Sequence, residues 1–318
     1  MNPQLSVIIV VGRRRDRATH CLSSVLAQSC VDRLEVLLCD IAPRATPPLP
    51  GSDHPAVHRL VLGERVLFGA ARRAGVEAAQ APVVAFLEEH VWTLPGWGEA
   101  LLEAHRGPWA GIGPQVELGN PGIAQCDTTF ALTYALFAPP QTEGEAAWIA
   151  GHNSSYRRAV LLAFGDQLED LLKLDNLLMA RLRADGHRLA AMPQAQVAHL
   201  NEAEVRSLAR AYFHYHRMFG EARARTFHWP WWRRLAYIVL TPVMPFYFLV
   251  RYSRLLWRRD SPWWRQVVRR LGSTLSVQGA GAVGQALGLL FGPGDSEVFF
   301  SRHETEADRP LPIQIRPA

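Results

Sequence analysis

The sequence predicts an α/β protein: a Rossmann-like mixed sheet flanked by helices, followed by a C-terminal α-helical, membrane-associated region. Three observations carry that prediction. Apolar runs of strand length alternate with segments of helical spacing through the first two hundred residues. One of those runs, VVAFLEEH, stops on Glu88, Glu89 and His90. From Arg206 to Arg270, fourteen arginines face only Glu221 and Asp260, a net of +12 in a chain whose total is +5.

The elements follow in order. Leu5–Val11 (LSVIIVV) is a β-branched run of the kind buried in a parallel sheet, and Gly12 with Arg13–Arg17 makes the turn after it. Ala18–Gln28 has helical spacing, with Leu22, Val25 and Leu26 on one face. Leu34–Cys39 is the second strand and ends on Asp40; a Pro-rich loop, a third strand at Val57–Leu62 and an alanine-rich helix at Leu67–Gln80 follow. Val83–Leu87 is the strand that ends on the acidic cluster. Pro95-Gly96-Trp97 opens a helix to His105, and Trp109–Val116 reads as a further strand. Asn120–Glu145 is poorly patterned. Trp148–Tyr156 leads into Arg157–Ala163, and Leu168–Ala184 reads as a strong helical stretch ended by Gly186. Arg188–Met192 and Val197–His199 read as short edge elements on either side of Pro193.

A chain of 318 residues with 48% hydrophobic content accommodates one α/β domain and an appendage. The expected division is 1–205 for the α/β domain, 206–300 for a basic, Trp-rich helical region and 301–318 for a polar tail. Cys21, Cys30, Cys39 and Cys126 lack zinc spacing, and the chain enters a strand almost at once, so a reduced, cytoplasmic compartment is expected. Lys173 is the only lysine among 34 basic residues, a bias that points to a GC-rich, bacterial genome.

Glu88 and His90 stand two apart at a strand's carboxyl end, where open α/β sheets bind ligands and where alternate side chains point the same way. Such a pair can hold a divalent cation, which in turn can grip a diphosphate. In the tail, six of the ten tryptophans (Trp229, Trp231, Trp232, Trp257, Trp263, Trp264) lie among the arginines. Arginine and tryptophan around the apolar run Leu235–Val250 suit an anionic membrane surface at residues 229–270. Sixteen residues interrupted by Pro242 and Pro245 favour an interfacial or re-entrant hairpin over a span. Peripheral or monotopic attachment to the cytoplasmic face of the cell membrane is the expected location. A buried helical subdomain or a homodimer interface is the alternative use of the tail; no recognised nucleic-acid motif accompanies it.

Several blocks, in order, resemble glycosyltransferase family 2, of the GT-A fold. They are LSVIIVVGRRRDRATHCLSSVLAQSC with EVLLCD, then FGAARRAGVEAAQAPVVAFLEEH, GHNSSYRR, LDNLLMARLRADGHRL and PQAQVAH, together spanning residues 4 to 200. The resemblance implies transfer of a sugar from a nucleotide-sugar donor, with inversion, to a glycan, lipid-linked or polysaccharide acceptor. It implies a divalent metal, Mn or Mg, held by Glu88, His90 and the distant His199, with Glu89 as a donor-sugar contact. Imidazole among the ligands favours manganese. Gly12, Asp40 and Arg72 match nucleotide-binding positions, His152 and Asn153 the acceptor side, and Asp175 the catalytic base. The chain also departs from the family pattern. Glu88-Glu89-His90 replaces Asp-x-Asp, Leu174-Asp175 replaces Glu-Asp, and Val10–Arg13 replaces Pro-x-Tyr-Asn. Those departures leave a second reading open, a non-catalytic GT-A scaffold that binds a nucleotide or partner enzyme at the membrane.

Overall fold

The computed structural model describes residues 2–312. It divides into two compact units. The first runs to Gly119 and adds Gln141–His199; the second joins Asn120–Pro140 to the residues from Leu200 onward. These divisions differ from boundaries at 205 and 300, because the segment 120–140 lies with the C-terminal helices.

The elements of the chain up to Leu118 are β1 (Leu5–Val11), α1 (Arg15–Leu26), β2 (Leu34–Asp40), β3 (Val57–Val61), α2 (Phe68–Ala78), β4 (Val83–Glu88), β5 (Val91–Thr93), α3 (Trp97–Ala104) and β6 (Gly111–Leu118). After α4 (Ala124–Thr133), which belongs to the second unit, come β7 (Gly144–Glu145), β8 (Ser155–Arg157), α5 (Arg158–Leu162), α6 (Leu168–Leu172), α7 (Asp175–Ala184) and β9 (Leu189–His199). The strands form one mixed sheet in the order β3-β2-β1-β4-β8-β6-β9-β5, with β7 on β9. β1 to β4 run parallel, and their register sets Asp40 beside Val11 and Glu88 beside Val10. Three strand ends therefore share one rim. β1, β2 and β4 are buried along their whole length, as their apolar runs require. Helix α2 presses so closely on β1 and β2 that a Cβ at Gly75 would lie 2.6 Å from Ile8 Cγ2 and 3.0 Å from Cys39 Sγ.

Two expectations need correction. Residues 188–199 are not two edge elements but one eleven-residue strand, β9, with neighbours on both sides. Its pairing with β6 shifts between Pro114 and Gln115, whose partners are Met192 and Gln196, so Pro193 sits in the bulge and costs no ladder hydrogen bond. The stretch Leu168–Ala184 is two helices, parted at Lys173 and Leu174, which leaves Asp175 as the first residue of α7.

At the end of α3, His105 is buried, with Nε2 2.8 Å from Ser155 Oγ. Burial, assisted by Arg157, pushes its pKa down from 6.5 to about 3. Across that window the unfolded chain binds a proton that the folded chain refuses. Stability therefore falls as pH drops from about 6.5 towards 3, by a few kcal/mol in total. Urea unfolding of wild type and His105→Gln at several pH values checks this; the variant should show a shallower slope.

The second unit is helical: α4 with α8 (Val205–Thr226), α9 (Trp231–Val239), α10 (Met244–Arg258), α11 (Trp263–Arg269), α12 (Leu271–Phe291) and α13 (Ser296–Glu306). Ala131, Leu132, Leu208, Leu256, Val267 and Val277 form its core. Tyr212 and Tyr252 donate to the α4 carbonyls of Leu132 and Ala131, each at 2.9 Å. This explains the weak patterning of 120–145, whose apolar side chains serve helices more than seventy residues away. α12 is long and apolar enough to cross a membrane, but half of it is buried inside the unit. Gly284 and Gly288, one turn apart, bring α12 against the α8 backbone at Phe213 and Arg217, where a Cβ would clash. The expected polar tail begins inside α13, where His303 pairs with buried Glu202 at 2.8 Å; residues 313–318 lie outside the described residues.

Candidate active site

The site is built on the carboxyl end of β4. Glu88 is its last residue, and Glu89-His90 turn the chain into β5, which pairs antiparallel with β9 so that Val91 faces His199. That pairing brings together residues 109 positions apart. His90 Nε2 lies 3.2 Å from His199 Nε2, and Glu88 Oε2 lies 3.4 Å from His199 Nε2 and 3.8 Å from His90 Nε2. All three side chains are buried. The imidazole planes meet at 86°, nitrogen towards nitrogen.

This donor set fits a divalent cation. Ligands about 2.1 Å from one ion lie roughly 3.0 to 3.4 Å apart at right or tetrahedral angles, close to the separations seen. Two ring nitrogens aimed at each other beside a carboxylate repel unless a proton or a cation lies between them. Two imidazoles and one carboxylate also suit manganese or another transition ion better than magnesium.

His152 and Asn153, expected on the acceptor side, both touch Glu88. β8 runs antiparallel to β4, and this sets the turn before it beside Glu88. His152 Nδ1 lies 3.2 Å from Glu88 Oε1. Asn153 holds Glu88 at two points: Nδ2 donates to Oε2 at 2.7 Å, and Oδ1 accepts from the Glu88 backbone N–H at 3.1 Å. They orient the carboxylate from behind, as partners of metal ligands do. Burial alone would raise the Glu88 pKa, but hydrogen bonds with His152 and His199, and the charge of His90, hold it well below the usual carboxylate range. Burial and Arg72 push His152 down, yet Asp175 and Glu88 outweigh them and leave its pKa raised.

Asp175 stands on the far side of His152, its Oδ1 3.8 Å from His152 Nε2. It also opens α7 as its first residue, where its Oδ1 accepts the N–H of the next residue, Asn176, at 2.8 Å. Gly151 is needed here, because any Cβ at that position would collide with Asp175. The structure thus lines up Glu88, His152 and Asp175, a row that sequence spacing does not reveal.

The remaining residues fall into two groups. Asp40 stays at the rim, where its Oδ2 accepts from Arg15 at 3.1 Å and Arg59 at 2.8 Å, and its Oδ1 caps the Ala42 N–H. Arg72 and Glu89 are turned inwards, contrary to expectation. Arg72 is buried over Phe68 and Phe86 and donates to the carbonyls of His152 and Leu172, so it braces the 151–153 turn and is not presented to a phosphate. Glu89 accepts from the Gly12 N–H at 2.6 Å and from Arg17 at 2.8 Å, so both residues serve to anchor the loop after β1. Sequence reading missed Arg17; its only signal was a charged residue on the apolar side of α1, one turn before Cys21.

Removing one partner of the buried Arg17–Glu89 pair leaves an uncompensated charge in the interior. Glu89→Ala should therefore cost about 3–5 kcal/mol of folding stability, read as a fall in the urea midpoint. A sugar-contact role alone would alter donor KM and leave that midpoint unchanged.

The mixed nine-stranded sheet flanked by helices is consistent with a GT-A fold, and Glu88, His90 and His199 converge at one end of it. The description "Glycosyl transferase family 2" matches residues 6–164, half of the chain, and the protein belongs to that family. Among 140 similar chains of solved structures is the crystal structure of GalNAc-T7 with UDP, GalNAc and Mn2+, at 15% identity and a TM-score of 0.47. The similarity covers 62% of this chain and 43% of that one. No curated protein sequence matches.

Proposed function

We propose that this glycosyltransferase moves a hexose from a nucleoside-diphosphate sugar, with inversion, in a reaction dependent on a divalent metal. The observation that carries the proposal is the convergence of Glu88, His90 and His199. When bound there, a manganese ion would act as a Lewis acid and neutralise charge on the departing diphosphate. Asp175 takes the proton of the acceptor hydroxyl as its oxygen bonds to the anomeric carbon, while the bond from that carbon to the diphosphate oxygen breaks. A single displacement of this kind inverts the anomeric centre. His152, between Asp175 and Glu88, keeps the base and the metal-binding carboxylate in register. A lipid-linked or envelope glycan acceptor is favoured, because it suits an enzyme whose helical unit exposes apolar and basic side chains together.

Donor turnover tests the reading. UDP-, GDP- and dTDP-hexoses should be compared with Mn2+, with Mg2+ and with EDTA. Cleavage of one donor that EDTA abolishes and Mn2+ restores supports it. A folded protein that cleaves none of them and binds no nucleotide would be the scaffold instead.

A further inference from the structure

We infer that α9 and α10 form an interfacial docking surface for an anionic lipid bilayer. The inference is independent of the glycosyl-transfer reading. On α9, Trp231, Trp232, Leu235 and Val239 fall within roughly 100° of one another at 100° per residue, and all are exposed, Trp231 by 75%. On α10, Phe246, Val250 and Trp257 make an exposed stripe, with Val250 65% in solvent. Another face of α10, through Leu249, Tyr252 and Leu256, is already spent on the helical core. Each helix thus has its packing face and a second apolar face that no described residue covers. Monomeric soluble proteins rarely leave such contiguous apolar area in water.

Charge selects the occupant. Residues 229–270 carry nine arginines against Asp260 alone, a net of +8. Arg251, Arg254 and Arg258 are exposed and border the α10 stripe on one side. An apolar stripe with tryptophan, edged by arginine, matches acyl chains beneath anionic headgroups. A second copy of the same surface would bring like charges together. The geometry excludes α9–α10 as a straight span: the two helices meet at 84° across residues 240–243. At 1.5 Å per residue they are about 14 and 22 Å long, short of the roughly 30 Å of a hydrocarbon core. They suit helices lying in the interface.

Co-sedimentation of the full-length protein with vesicles tests this. Phosphatidylcholine vesicles containing roughly one-third phosphatidylglycerol should bind it, and pure phosphatidylcholine far more weakly. Combined Trp231→Ser, Phe246→Ser and Val250→Ser should weaken binding at least about ten-fold with the far-UV spectrum unchanged. Combined Arg251→Gln, Arg254→Gln and Arg258→Gln should weaken binding to anionic vesicles by roughly a hundred-fold and flatten its salt dependence. Failure of the wild type to bind, or serine variants that bind as well as it does, would overturn the inference. So would a dimer by light scattering that the serine changes dissociate while no vesicle binding is seen, which would make a second copy the occupant. Release only by detergent and not by alkaline wash would replace an interfacial surface with a span.

Discussion

Glu88→Gln should abolish divalent-cation binding and reduce sugar transfer by about a thousand-fold or more, while the fold survives. The substitution keeps the shape of the side chain and one oxygen for Asn153, but it removes the negative charge on which both imidazoles converge. Loss of a partner that merely orients a ligand costs roughly 10- to 100-fold in metal affinity, so loss of the ligand itself must exceed that. The catalytic loss follows because stabilisation of developing charge contributes the largest share of many enzymatic rate enhancements. Isothermal titration with Mn2+ and a single-turnover transfer assay read the two effects separately. Unchanged Mn2+ affinity would dismiss Glu88 as a ligand.

Asp175→Asn should keep donor binding within about three-fold and lower kcat by roughly 10²- to 10⁴-fold. The substitution separates two roles that coincide in one side chain. Asparagine keeps the side-chain oxygen that accepts the Asn176 N–H, and at the first position of α7 it loses only the attraction of a carboxylate to the helix N-terminus, so the stability of α7 changes little. It accepts no proton, so a general base is lost. A kcat near wild type would leave Asp175 a helix-terminal carboxylate and nothing more. A parallel fall in stability and rate would point to distortion of α7, and the urea midpoint distinguishes that outcome.

Much of the α/β fold could be read from short-range pattern. The β1, β2 and β4 runs, the α2 alanines and the carboxylates at the β4 terminus are local features, and local features survive in a sequence. What was not legible depends on which strands become neighbours. His199 approached Glu88 and His90 in the reading only through family resemblance; the physical cause is the β5–β9 pairing, formed by a three-residue strand with no pattern of its own. The contacts of His152 and Asn153 with Glu88 were hidden for the same reason, since they follow from the antiparallel β8–β4 ladder. Arg72 and Glu89 carry charges that normally signal solvent or ligand. Here their counter-groups are backbone carbonyls and Arg17, supplied from distant positions. The segment 120–140 lacks amphipathic pattern because the helices it packs on lie more than seventy residues further along the chain, in the same unit. The break at Pro242 was legible, since proline chemistry is local.

The central claim is that one buried carboxylate–bis-imidazole group holds the cation on which donor binding depends. Calorimetric titration of the purified full-length protein with UDP, GDP and dTDP, with and without Mn2+, tests it most directly when repeated on His199→Ala. Binding of one nucleotide that requires Mn2+ and disappears in the variant is the predicted result. Equal binding with and without metal, or equal binding by His199→Ala, would contradict it.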